Sequence, residues 1–96
     1  MPQDSQGTNW TQAILTEAVS GIERLFRKGK FQVVDQALTY LKVDAIPSEV
    51  LLGILTITFH AKEHLPSRPA FLAEAEPVLI ARLGSQRANA LLKYRR

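Results

Sequence analysis

The sequence predicts an all-α domain: four to five short helices in a compact bundle or short stack around a central buried helix at about 48–65. Two observations carry that expectation. First, apolar residues recur at helical spacing in several separate segments. Second, Val50, Leu51, Ile54, Leu55, Ile57, Thr58, Phe59, Ala61 and Leu65 spread over most of a helical circumference. A helix apolar on nearly every side belongs at the centre of a fold. The polar residues of the same segment, Glu49, Gly53, Thr56, His60, Glu63 and His64, share one narrow arc.

Residues 1–8 are polar and read as a disordered tail, leaving 9–96 as a single helical domain. The first helix is expected to start at Asn9 as N-cap, with Gln12 completing a weak capping box. Ile14, Leu15, Ala18, Val19, Ile22, Leu25 and Phe26 form its apolar stripe. Arg24, Arg27 and Lys28 sit at its negative end, and Gly29 follows as the C′ residue. Trp10 lies off the main stripe and reads as a core-closing staple.

A second helix is expected from about 30 to 42, with Val33, Val34, Ala37, Leu38 and Leu41 on one side. Pro47 and Ser48 then open the central helix. The prolines of Leu65-Pro66-Ser67-Arg68-Pro69 break the chain and restart it near Pro69. The fourth helix carries Phe71, Leu72, Ala75, Val78, Leu79 and Leu83, and Pro77 within it predicts a kink or a split. Gly84 and Ser85 stop it and cap a last short helix over about 86–94. A two-helix repeat aligned on Gly29 would need a tyrosine at position 32 and a small residue at 41. The chain has Gln32 and Leu41 there and no second copy of the unit.

Composition bounds the function. The 96 residues include 12 Lys and Arg against 9 Asp and Glu, a mild formal charge of +3. Cysteine is absent, which excludes disulfides, thiolate catalysis and cysteine-based zinc sites. It also points to the cytoplasm, because small secreted domains are commonly stapled by disulfides. The first seven residues lack the basic and apolar regions of a signal peptide, and the longest apolar run is about half a bilayer span. The expectation is a cytoplasmic chain without membrane contact.

Two constellations bear on chemistry. His60-Ala61-Lys62-Glu63-His64 has the H-x-x-E-H spacing of inverted zinc peptidases, where two histidines one helical turn apart hold the metal beside a glutamate base. Here Glu74 and Glu76 are the sole downstream carboxylates, so the stripe reads first as the solvent-facing edge of the central helix. His60, His64 and Glu63 remain metal candidates in second place. The other constellation is the acid-free C-terminal run Arg82, Arg87, Lys93, Arg95 and Arg96, with Tyr94 as a stacking surface, a candidate nucleic-acid contact.

The favoured expectation is non-enzymatic: a small interaction or accessory protein without cofactor, docking on an unidentified protein partner or forming a homodimer. A domain of this size needs nearly all its apolar residues for its core, which disfavours a substrate cavity. Leu52, Phe59 and Ile80, at the borders of apolar faces, are the candidate exposed patch. Gly53 marks either a close approach by a neighbouring helix or the floor of a shallow groove.

Overall fold

A computed structural model describes residues 12–96, with side chains from Glu17 onward. The expectations for the tail at 1–8, the Asn9 cap and Trp10 lie outside the described residues. The order is α1 (Gln12–Arg27), α2 (Phe31–Tyr40), a 3₁₀ turn (Val43–Ala45), α3 (Ser48–Phe59), a second 3₁₀ turn (Lys62–His64), α4 (Arg68–Leu83) and α5 (Ser85–Leu92). No strand interrupts the described residues. None of their helices is long and apolar enough to cross a membrane.

Local chemistry sets the boundaries. Gly29 adopts φ +71°, its N–H donates to the Phe26 carbonyl at 2.9 Å, and Lys30 N–H donates to the Leu25 carbonyl at 2.8 Å. That pair of bonds is the Schellman ending, and it turns the chain sharply from α1 into α2. Gly84, at φ +89° and ψ 150°, is the only residue between α4 and α5. That region of backbone space is open essentially to glycine alone.

The helices alternate in direction. Val19 of α1 meets Gly53 of α3, and further on Phe26 and Arg27 share a groove with Ile57 and His60, so α1 and α3 run parallel. Arg68 bonds Thr58 near one end of α4 while Arg82 bonds Ile46 near the other, so α4 is antiparallel to α3. Asp35 of α2 holds Ser67 just before α4, and Leu38 and Thr39 line a groove with Ala70 and Phe71, so α2 and α4 run parallel. α5 returns along α4 until Arg95 reaches Thr56. The result is an up-and-down arrangement in a slab 18 Å thick, about two helix layers.

α3 is the hub, packed against α1 and α4. Leu51 and Leu55 are 0% exposed, and they share one core cluster with Leu38, Val43, Ile46, Val50, Ile54, Phe71, Ala75, Leu79, Ala88 and Leu92. Gly53 is the point of close approach, since a Cβ there would stand 2.9 Å from Val19 Cγ2. A second small cluster joins Val34, Ala61 and Leu65, with Ile22, Leu25, Phe26 and Phe31 half-buried around it.

Three sequence expectations require correction. The central helix ends at Phe59, not near Leu65. From Ala61 onward the N–H groups reach back only three residues: Ala61 to Thr58, His64 to Ala61 and Leu65 to Lys62. Arg68 also donates to the Leu55 carbonyl in the last turn of α3. The altered path turns Ala61 and Leu65 into the second cluster against Val34. The fourth helix neither splits nor stops at Pro77 but runs through it to Leu83. Ala73 and Pro77 are both exposed, so the carbonyl that Pro77 leaves without an N–H partner faces water. Finally, Leu52, Phe59 and Ile80 are half-buried rather than bare.

Asp35 is a through-space cap. Its Oδ1 accepts the Ser67 N–H at 2.7 Å and its Oδ2 accepts the Ser67 hydroxyl at 3.2 Å. A carboxylate there satisfies a backbone donor at the start of α4 and faces the positive end of its dipole. Asp35→Ala is expected to lower stability by about 1–2 kcal/mol, and Asp35→Asn by less, because the amide oxygen still accepts one bond. Urea unfolding of the two variants beside the parent chain checks this; equal losses would contradict it.

Candidate interaction surfaces

The H-x-x-E-H segment does not form a helical stripe. His60 is the C-cap of α3, Ala61 leaves helical geometry at φ −127°, and Glu63 and His64 lie in the second 3₁₀ turn. The imidazoles engage different rings: His64 stacks on Phe31 at 4.4 Å and 19°, while His60 meets the edge of Phe59 at 6.0 Å. Among the described residues no three of His, Asp and Glu gather as a metal-binding group. The one-turn spacing behind the zinc expectation is therefore lost where α3 ends.

The C-terminal basic run is largely consumed within the fold. Arg82 donates to the carbonyls of Ile46 at 2.5 Å and Asp44 at 2.8 Å, tying α4 to the start of α3. Arg95 donates to Thr56 Oγ1 at 2.6 Å and to the Leu91 carbonyl. Arg96 pairs with Glu76 at 2.7 Å and bonds Asn89 Oδ1 at 2.8 Å. Arg87 and Lys93 stay exposed, but on opposite ends of α5. The five cations do not make one surface.

Sequence reasoning missed Arg68, which reads as part of a proline-rich break. It is 2% exposed. Its Nε donates to Thr58 Oγ1 at 2.8 Å, and its Nη2 donates to the Leu55 carbonyl at 2.7 Å and the Arg95 carbonyl at 2.5 Å. The Phe59 ring lies 5.7 Å from its guanidinium carbon. No carboxylate pairs with it among the described residues, and burial pushes its guanidinium below the ordinary arginine value. It joins the end of α3, the start of α4 and the end of the chain.

Two outward features remain. The alternating helix directions carry most cations to the end of the slab marked by Gly29. Of the twelve Lys and Arg residues, only Lys42, Arg82 and Arg87 lie towards the Gly84 end. The exposed side of α2 forms the second feature: Gln32, Val33, Gln36, Ala37, Thr39 and Tyr40 carry no charge. Tyr40 is 74% and Val33 49% exposed, and with Tyr94 they are the exposed large apolar residues among those described. On another side of α2, towards α4, an open groove is lined by Leu38, Thr39, Pro66, Ala70, Phe71 and Glu74. No family model, curated protein or solved structure matches this chain.

Proposed function

We propose that this chain is a small, non-enzymatic helical interaction protein that docks through the outer face of α2. The observation that carries this reading is the uncharged arc of exposed α2 residues, about 160° wide at 100° per residue, with Gln36 and Tyr40 flanking its middle and Val33 next to Tyr40. Interface cores are depleted in charge and enriched in tyrosine relative to other surface. The occupant that fits best is a second copy of the chain. A two-fold contact sets this arc against itself, and a neutral arc meets no like charge there although the protein carries +3 overall. A helix of ten residues is about 15 Å long, so the contact is small and the association is expected to be concentration-dependent. The cytoplasmic location expected from the cysteine-free sequence belongs to the same proposal.

Light scattering across a dilution series is expected to show the mass rising from one chain to two. The double variant Val33→Asp, Tyr40→Asp is expected to stay at one chain and to keep its helical circular-dichroism spectrum, since both side chains reach the surface. A parent chain that is monomeric at every attainable concentration would overturn the second-copy reading.

A further inference from the structure

We infer that the Gly29 end of the molecule is a binding surface for the phosphate backbone of nucleic acid, centred on Arg27, Lys28, Lys30 and Lys62. These residues come from the α1–α2 turn and the second 3₁₀ turn, segments more than thirty positions apart in places. The fold joins them through a run of rings, with Phe26 at 5.5 Å from Phe31 and Phe31 stacked on His64. All four cations are exposed, and none forms an ion pair among the described residues. Lys62 lies over the Phe59 ring, with Nζ 4.4 Å from its centroid. The carboxylates nearby are Glu23, which shares a groove with Arg27 and His60, and Glu63, 3.9 Å from His64. Asp35 is occupied by Ser67.

The composition of this end selects the partner. A protein partner ordinarily needs a buried apolar or aromatic anchor. Around the four cations the apolar side chains, Leu25, Phe26 and Phe31, are half-buried in the second cluster; exposed Tyr94 lies at this end too, but just past α5 beside Lys93, and Val33 and Tyr40 belong to the uncharged face of α2. Affinity for nucleic acid is dominated by cation–phosphate contacts and needs no such anchor. The half-exposed imidazole of His64, already stacked on Phe31, adds a ring at the surface on which an unpaired base can stack. Single strands are therefore the expected preference. No residue of this surface belongs to the uncharged face of α2, so the two proposals stand or fall separately.

Fluorescence anisotropy with a labelled single strand of about 16 nucleotides, repeated with the matching duplex, tests the inference. Affinity is expected to fall with salt, log K against log salt having a slope of about −3 for four phosphate contacts on a single strand. Lys28→Ala with Lys30→Ala is expected to weaken binding about tenfold and flatten that slope by about 1.4. Lys42→Ala with Arg87→Ala removes the same charge towards the other end and is expected to change affinity less than about twofold. Circular dichroism reports folding; should the first variant unfold, Arg27→Ala with Lys62→Ala replaces it. Equal losses in the two pairs, absence of binding at low salt, or binding only to anionic phospholipid vesicles would overturn the proposal. A duplex preference would overturn its stacking part while supporting the phosphate contacts.

Discussion

Arg68→Ala is expected to destabilise the domain by about 3 kcal/mol, against roughly 5–14 kcal/mol available to a chain of this length. The loss arises from what the guanidinium leaves behind. The Arg95 carbonyl and the Thr58 hydroxyl each lose a donor, as does the Leu55 carbonyl. Bonds from a charged donor are worth about 1.5–3 kcal/mol each, but removing the cation also relieves its own burial cost. The net is therefore well below the sum. Arg68→Lys is expected to recover less than half of the loss, because one ammonium cannot present the fork that spans acceptors 13 and 27 residues away. Thermal unfolding is the direct measurement, with a fall of about 12–24 °C for the alanine variant. A change below about 1 kcal/mol would show that water replaces the arginine without difficulty.

Leu51→Ala is expected to cost about 3–4 kcal/mol. Leu51 is 0% exposed at the middle of the core cluster, where rigid neighbours on α3, α4 and the first 3₁₀ turn limit collapse into the vacated space. Leu52, one position on, is half-buried at the edge of the same cluster. Leu52→Ala is expected to cost about 1–2 kcal/mol, since less of its side chain leaves water on folding. Chemical denaturation of the pair measures the contrast. Equal losses would remove α3 from the centre of the fold.

Much of the architecture was legible from local chemistry. Gly29 ends α1 because that turn needs positive φ, Pro69 sits in the first turn of α4, and Gly84 separates α4 from α5. The apolar surroundings of α3 identified it as the hub for a similar reason: every exposed alternative would leave several large side chains in water. The end of α3 was not legible. Pro66 forbids helix beyond Leu65, but nothing near it says that helix stops at Phe59. Beyond it Ala61 and Leu65 pack with Val34, a contact between segments about thirty residues apart. Asp35 shows the same division. It lies on the polar side of the α2 pattern, and its role as cap comes from Ser67, 32 residues later.

The interaction surfaces follow this rule. Counted along the chain, the first half is balanced in charge and the last stretch is basic. Folding reverses that impression, because Arg82, Arg95 and Arg96 are spent on carbonyls, Thr56 and Glu76. Meanwhile the alternating helices bring Arg27, Lys28, Lys30 and Lys62 to one end, none of them in an ion pair among the described residues. The amino-acid order alone determined which segments are helical and which of them is central, since backbone freedom and side-chain periodicity act over a few residues. Only tertiary structure decided which cations stay free, where α3 stops and how Arg68 is satisfied. Charge, hydrogen bonding and burial in those cases depend on groups tens of residues apart, whose meeting is set by packing.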